Sequence, residues 1–248
     1  MTVGAARLVP EGGADEGTGM RTQRTIGIIL ATCLLVGLTT VVGLIAWLGL
    51  GPALGLVGVA IAVYLFALGP WQRRWGATHD EVHRVLPGDD LLRADAPSTT
   101  RAITIDAPPE HVFPWLLQIG FGRGGWYSYD WIDNDGLPSV ERIEPGMRFE
   151  VGDRVEMMPG FGPVVRAIEP DRHIVSGGDS DSWCLFVEPA GEGRTRLISR
   201  WKQDWPRTPA TYVWIAIADP GAFIMERKML LRIRELAERS AATARASR

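Results

Sequence analysis

Residues 219–240, DPGAFIMERKMLLRIRELAERS, carry the pattern that decides the fold. An Asp followed by a Pro is typical of a helix start, with the Asp as cap and the Pro in the first turn, so we predict a helix beginning at Asp219 and Pro220. Downstream, apolar residues recur at helical spacing on one face, while charged residues fill the others. These apolar positions are Ala222, Met225, Met229, Ile233 and Leu236. The pattern predicts a long amphipathic helix that buries one face.

Short strands precede this helix. Segments separated by turn residues at intervals of roughly ten residues are typical of an antiparallel meander. The predicted strands are residues 154–158, 163–168, 173–176, 183–188 and 195–201. An earlier strand is predicted at residues 101–105, followed by a helix that starts near Pro109, bends at Pro114 and stops at Gly120. A curved antiparallel sheet needs a helix with one apolar face to cover it, so the sequence predicts an α+β helix-grip domain.

The N-terminal part of the chain has a different composition. Residues 25–71 contain no Asp, Glu, Lys, Arg or His, a run that a purely soluble protein almost never contains. Gly49, Gly51 and Pro52 interrupt it, which predicts two membrane spans at residues 26–48 and 53–68. A signal peptide is the competing interpretation, but its apolar core would be about 7 to 15 residues long. The run therefore predicts a transmembrane hairpin.

Basic residues flank the hairpin at both ends, Arg21 and Arg24 before it and Arg73 and Arg74 after it. The positive-inside rule then predicts a multi-pass protein of the inner membrane with both termini in the cytoplasm. The predicted organisation is a disordered tail (1–24), the hairpin (25–71), a juxtamembrane connector (72–98), a folded domain (99–243) and a short tail (244–248).

Several classes of function lack their usual marks. The formal net charge of −3 argues against nucleic acid as a partner. The two cysteines, Cys33 and Cys184, form neither a disulfide framework nor a zinc site of cysteine pairs. Residues 120–125 match GxGxxG but follow a predicted helix instead of a strand, so a flexible connection is the better interpretation.

Two metal motifs are incomplete. His79 and His83 have zinc-site spacing without an evident third ligand, which favours a solvated helix face. The acidic residues Asp130, Asp133 and Asp135 do not place acids at the first and twelfth positions of a calcium loop, which favours a solvated turn. The sequence therefore predicts no cofactor and no metal.

The order of elements and several strings resemble the START-like, or SRPBCC, superfamily, which includes polyketide cyclase and lipid-transfer domains. The strings are residues 100–105 (TRAITI), 107–110 (APPE), 114–118 (PWLLQ), 122–130 (GRGGWYSYD), 195–197 (TRL) and 223–230 (FIMERKML). The resemblance covers residues 99–243. It implies an internal apolar cavity between the sheet and the C-terminal helix, used for lipids, polyketides or other hydrophobic ligands, and no catalytic residues common to the superfamily. The hairpin departs from the usual single soluble domain.

An aromatic cluster is the most unusual feature of the folded part. Ligand pockets for apolar molecules are lined by aromatic and apolar side chains, with a few polar groups that fix orientation. Core packing explains the same residues equally well, because large aromatics dominate core and interface energetics alike. The candidate ligand-binding residues are Trp115, Gln118, Arg123, Trp126, Tyr127, Tyr129, Trp131, Trp183, Arg200, Met225 and Met229.

Three functions are compatible with these patterns. The leading hypothesis is a membrane-anchored cytosolic domain that binds a hydrophobic small molecule or lipid in its cavity. A cyclase-like or hydrolase-like enzyme is the rival, with His111, Asp130, Arg200 and Glu226 as the candidate titratable or charged groups. No GxSxG elbow or phosphate-binding loop supports it. The third is a non-catalytic regulatory or structural membrane module whose cavity has collapsed.

Overall fold

The computed structural model describes residues 20–206 and 208–247. Most of the predicted tail, residues 1–19, lies outside the described residues. The first helix, α1, spans Met20–Leu48, so the described chain is helical before the first predicted span begins. The division into tail, hairpin, connector and domain stays a prediction.

Two apolar helices form the N-terminal part. Gly49 joins α1 to α2 (Leu50–Val63) at a φ of 83°, which glycine adopts without strain. A π-helical turn (Tyr64–Leu68) continues α2 into α3 (Gly69–Arg73). Residues 21–48 and 50–73 are each long and apolar enough to cross a membrane, and 0% and 6% of their most apolar stretches are buried within the protein. These helices contain both predicted spans.

The sheet has five antiparallel strands: β1 (Ser98–Ile105), β2 (Val164–Glu169), β3 (His173–Gly177), β4 (Asp181–Pro189) and β5 (Thr195–Gln203). Their order is β1-β5-β4-β3-β2, with β1 added to the free edge of a four-strand meander. The α+β class with an antiparallel sheet and a C-terminal helix is confirmed. The predicted strand at residues 154–158 is wrong, because this segment forms isolated antiparallel bridges, Arg154 with Val164 and Met158 with Phe161, in place of a continuous strand.

The last helix, α7 (Pro209–Ala246), begins ten residues before the predicted start. Thr208 is its cap and Pro209 lies in its first turn, which is the same signature that Asp219 and Pro220 offer. Asp219 does not cap a helix; its carboxylate instead pairs with Arg73 at 3.0 Å. Pro220 is inside α7, where it leaves the carbonyl of Ala216 without its helical donor.

Helices α5 (Pro109–Leu116) and α7 cover one face of the sheet. Alternation along β1 sends Ile103 and Ile105 into this core and Ala102 to the opposite face. Buried residues of α7 complete the core, namely Met229, Leu230, Ile233, Leu236, Ala237 and Ala241.

On the opposite face of the sheet, a smaller cluster packs under the connector. It contains Leu86, Ala102, Val175, Cys184, Phe186 and Ile198. The connector carries a short helix, α4 (His79–His83), which starts with a capping box between Thr78 and Glu81. A second short helix, α6 (Asp130–Asp133), follows the glycine-rich segment.

Candidate functional site: a groove beside the C-terminal helix

The interior between sheet and helices is filled. A cavity there encloses about 10 Å³, which is close to the space one water molecule occupies. A pocket for a drug-sized ligand needs about 300–1,000 Å³. The cavity lining consists of Leu116, Ile119, Phe149, Val155, Ile174, Ser176, Trp183 and Leu185. The open internal cavity that the resemblance implies is therefore closed in this structure.

Four residues of the predicted aromatic cluster pack as core. Trp126 stacks on Trp183 with ring centroids 6.0 Å apart, and Trp183 stacks on Trp201 at 4.8 Å. Trp115 meets Tyr127 edge-on at 6.0 Å. Trp115, Trp126, Tyr127 and Trp183 are all buried. They occupy the volume in which an internal ligand would lie.

The predicted polar groups of the pocket bind the protein's own backbone and side chains. Gln118 Nε2 donates to the Tyr127 hydroxyl at 2.6 Å and to the Arg142 carbonyl at 3.1 Å. Burial raises the pKa of Tyr127 to about 12, although the hydrogen bond from Gln118 lowers it. Arg123 donates to the carbonyls of Leu117 and Arg148. These bonds tie the glycine-rich segment to its surroundings.

The remaining predicted ligand-binding residues do not converge on one place. Arg200 holds the connector, donating to Asp89 and to the carbonyl of Arg84, both at 2.7 Å. Met229 is buried in the core and Met225 is half-buried. Trp131 is 58% exposed. Tyr129 is half-buried and lines the groove described below.

The four candidate catalytic groups are engaged in structural contacts. His111 Nδ1 lies 3.4 Å from the Ser240 hydroxyl, and Asp130 accepts from the hydroxyl and backbone N–H of Ser139. Glu226 pairs with Arg101, and Arg200 holds the connector. None of the four lines the groove. Within residues 20–206 and 208–247, no group of three or more His, Cys, Asp or Glu side chains is placed to hold a metal ion.

A groove of about 720 Å³ opens where the hairpin ends against α7. Its walls come from the end of α3, the residues after it, α7 and Tyr129. The lining residues are Trp71, Trp75, Tyr129, Phe223, Ile224, Arg227, Lys228, Leu231, Arg232, Arg234, Glu235 and Glu238. Its volume lies within the range of small-molecule sites.

Aromatic rings form one wall of the groove. Phe223 of α7 contacts Trp71 edge-on at 5.4 Å and Trp75 at 6.2 Å. Trp75 is held in place because its carbonyl accepts from the Ala102 N–H of β1 at 3.1 Å. The wall thus joins the end of the hairpin, the sheet edge and the C-terminal helix.

Two cations stand over aromatic rings in this groove. The Arg227 guanidinium lies 5.0 Å from the centre of the Trp75 ring, and Lys228 Nζ lies 3.9 Å from that of Tyr129. Within the described part of the chain, neither cation forms a carboxylate ion pair. Arg232, in contrast, is paired with Glu141 and Glu235. The groove therefore combines an apolar wall with two cations that have no carboxylate ion pair among the described residues, and its lining also includes the charged residues Arg234, Glu235 and Glu238.

Partly buried polar contacts fix the hairpin to α7 beside this groove. Asp219 accepts from Arg73 Nε at 3.0 Å and from Gln72 Nε2 at 3.2 Å. Arg101 Nε in turn donates to the Gln72 carbonyl at 3.0 Å. Of the residues that line this groove, Tyr129 is the one that the sequence also predicts as ligand-binding. The sequence signal for the groove was the pair Trp71 and Trp75 near the end of the second predicted span. This pair indicates a groove only when the position of α7 beside it is known.

One buried acid lies close to the hairpin but outside the groove. Burial raises the pKa of Asp133 to about 7, and the neighbouring carboxylate of Asp130 raises it further. The Ser128 hydroxyl and nearby backbone amides pull the pKa down, yet neither carboxylate oxygen has a partner at full hydrogen-bond geometry among the described residues. Asp133 therefore stays protonated at pH values at which an ordinary aspartate side chain is ionised.

The fold and site define an α+β domain with an aromatic and cationic groove beside two long apolar helices. No family model matches the chain, and no curated protein matches it. Solved structures with similar folds share little sequence with it. The self-sacrificing resistance protein CalC from Micromonospora echinospora is 13% identical over 59% of this chain and 97% of its own, with a TM-score of 0.40.

Two further structures are similar at the same level. The KanY protein is 13% identical over 58% of this chain and 99% of its own, with a TM-score of 0.38. A protein from Arthrobacter aurescens is 16% identical over 60% of this chain and 90% of its own, with a TM-score of 0.36. These likenesses carry no functional argument, so the function is argued from the geometry of the site.

Proposed function

We propose that this chain is a membrane-anchored START-like, helix-grip protein that binds an amphiphilic small molecule or lipid at the cytosolic surface of the membrane. The groove between the hairpin and α7 is the proposed site. The observation that carries this proposal is the pairing of the Trp71, Trp75 and Phe223 wall with the cations Arg227 and Lys228. Such a groove suits a molecule with an apolar body and a negatively charged head.

The contacts at both ends of the hairpin support the proposed topology. At the start of α1, the backbone N–H and hydroxyl of Thr22 donate to Asp135 at 2.8 and 2.6 Å. At the end of α3, Arg73 pairs with Asp219. Because both ends bind the same folded domain, the two spans return to one side of the membrane. The arginines at both ends favour the cytoplasmic side.

The position of the groove also supports an amphiphilic ligand. Trp71 is the third residue from the end of α3, so the aromatic wall lies where the second span leaves the membrane. Amphiphiles concentrate at this level of a bilayer, where tryptophans also prefer to lie. A ligand entering from the bilayer would meet the aromatic wall first and bring its head to the cations.

The test uses the full chain in nanodiscs of uncharged lipid. Binding is titrated with an undecanoic acid that carries a dansyl group and with its uncharged methyl ester. Ile224→Trp fills the groove from an exposed position and should weaken binding of both probes about tenfold or more, a loss of about 1.4 kcal/mol or more. Lys228→Glu should weaken binding of the acid and leave the ester little changed.

Matched controls introduce a tryptophan and a charge reversal at exposed positions outside the groove. Val151→Trp and Arg148→Glu alter exposed positions outside the groove and should leave both affinities unchanged. Equal binding by all four variants would contradict the proposed site. A protein that binds neither probe would instead support the regulatory or structural module, which the filled interior favours.

A further inference from the structure

The N-terminal part of α7 has a composition unlike the rest of that helix. Residues 208–218 contain no charged residue or histidine, whereas the helix beyond them is rich in Arg, Lys and Glu. We name residues 209–218 the α7 arm. At about 1.5 Å per residue, the arm is roughly 15 Å long, too short to cross a bilayer core of about 30 Å.

Apolar side chains of the arm are exposed. Val213 is 60% exposed and Ile217 is 38% exposed. At about 100° per residue they share one face of the helix with Ile224, which is 52% exposed and lines the groove. An apolar stripe therefore runs along α7 from the arm to the groove.

The C-terminal end of the arm lies beside the end of the hairpin. Asp219, the residue after the arm, binds Arg73 and Gln72 at the end of the second apolar helix. At its other end, α7 contacts the far side of the domain, where Glu238 accepts from the Asp106 N–H at 3.0 Å. The helix axis therefore runs from the domain toward the hairpin, and the arm extends beyond the Asp219 contact.

A second apolar patch lies at the other end of the hairpin. Thr22 binds Asp135, which lies between Trp131 of α6, 58% exposed, and Leu137, 62% exposed. Both attachment points of the hairpin thus have exposed apolar side chains beside them. Two contacts from different parts of the chain, Thr22 with Asp135 and Arg73 with Asp219, therefore hold the two ends of the hairpin against the domain.

We propose that the α7 arm inserts into the cytosolic leaflet as a third membrane contact, with the bilayer itself as the partner. The proposal rests on the membrane anchoring of the proposed function but not on ligand binding. Burial of Val213 and Ile217 in lipid removes apolar surface from water, which is favourable by about 25 cal/mol per Å². The arm would hold the open side of the groove against the bilayer.

The test places one environment-sensitive NBD label at a time on the full chain in liposomes. In a Cys33→Ser/Cys184→Ala background, which removes both native cysteines, a single cysteine replaces Ile217, Leu38 in α1, or Glu192 in the β4–β5 turn. Quenching by doxyl lipids reports contact with lipid, and quenching by iodide reports contact with water. Leu38 is the embedded control, and Glu192, at the opposite end of the sheet from Gln203, is the aqueous control.

The proposal predicts that doxyl lipids quench the label at Ile217 as strongly as the label at Leu38. It also predicts that iodide quenches the label at Ile217 less than the label at Glu192. Iodide quenching equal to that at Glu192 would overturn it, since the arm would then lie in water. Resistance to both quenchers would also overturn it, because a protein surface would then cover the arm. If the Leu38 label itself escapes the lipid quencher, the membrane anchoring fails, a result distinct from failure of the arm alone.

Discussion

Arg101 of β1 forms an ion pair with Glu226 of α7, and both side chains are buried, at 2% and 9% exposure. The same guanidinium donates through Nε to the carbonyl of Gln72 and lies 5.3 Å from the centre of the Phe223 ring. One buried cation thus connects the end of the hairpin, the sheet and the C-terminal helix. The groove depends on this junction, because Phe223 forms part of its wall.

Arg101→Met should destabilise the protein by about 3–5 kcal/mol, because it leaves the buried carboxylate of Glu226 without its partner. The measurement is unfolding by urea or heat in detergent, followed by tryptophan fluorescence. The double variant Arg101→Met/Glu226→Met should recover part of the loss, since Glu226 is then no longer a buried charge without a partner and Asp219, which lies 3.7 Å from Arg101, keeps its pair with Arg73.

The exposed pair Arg148 and Glu150 supplies the control for this prediction. Arg148→Met should change stability by less than about 1 kcal/mol, since exposed pairs contribute little. Strictly additive losses in the Arg101 and Glu226 double variant would show that the two residues are not coupled as described.

Asp133 makes stability depend on pH. Its pKa is raised to about 7 by burial first and by Asp130 second, whereas an unfolded Asp titrates near 3.9. Between these values the folded state holds a proton that the unfolded state releases, so the stability that this group contributes is lost as pH rises toward about 7. Asp133→Asn should therefore be close to the parent near pH 4 and more stable by about 2–4 kcal/mol at pH 8.

Unfolding free energies at several pH values between 4 and 8 test this expectation. Asp171→Asn, in the exposed turn between β2 and β3, is the matched control and should leave the pH profile unchanged. A stability difference between Asp133→Asn and the parent that stays constant across this range would show that Asp133 ionises normally.

Local patterns predicted most of the fold. Four of the five strands predicted between residues 154 and 201 are strands in the structure, as is the predicted strand at 101–105, and the uncharged run located both apolar helices. The start of α7 was missed because Thr208 and Pro209 offer the same cap-and-proline signature as Asp219 and Pro220. A proline at the start of a helix and a proline inside a helix have the same local signature when an Asp or Thr precedes each of them. The helix continues through Pro220 while Asp219 pairs with Arg73, a tertiary contact that local sequence does not reveal.

The candidate site was harder to predict. The wall of the groove joins Trp71 to Phe223, residues that 151 intervening positions separate along the chain. The cluster within residues 115–131 was visible in the sequence, but whether Trp126 and Trp183 line a pocket or fill it depends on packing volume. That volume follows from the approach of α7 and the sheet, which periodicity does not specify.

Gly76 marks the point where the chain leaving the hairpin meets β1. Its φ is +71°, and a Cβ there would lie 2.1 Å from the carbonyl oxygen of Ala102. Gly76→Ala should therefore lower the free energy of unfolding through both backbone strain and the clash with Ala102, and we expect a loss of about 3 kcal/mol or more. Thermal unfolding in detergent measures the loss.

Gly160 is a close match for this comparison, since its φ is +72° but a Cβ there would meet no atom within 4 Å. Gly160→Ala should cost about 1–2 kcal/mol, the usual penalty for a left-handed alanine. Equal losses for the two variants would mean that the contact between Gly76 and β1 does not constrain the connector.

Cys184 provides a reporter of folding on the opposite face of the sheet. Burial raises the pKa of its thiol to about 12, and the carboxylate of Asp89 raises it further, while Arg200 and Arg84 lower it. Since the thiolate is the reactive species, Cys184 in a Cys33→Ser background should resist maleimide at pH 7.5 until the domain unfolds. Glu192→Cys in the same background supplies an exposed thiol that should react promptly.

If Cys184 reacts as fast as this control under native conditions, the connector does not cover β4 as the structure places it. If it reacts at the rate of global unfolding instead, the connector and the sheet unfold as one cooperative unit, which is the outcome we expect because Arg200 binds Asp89 across their interface.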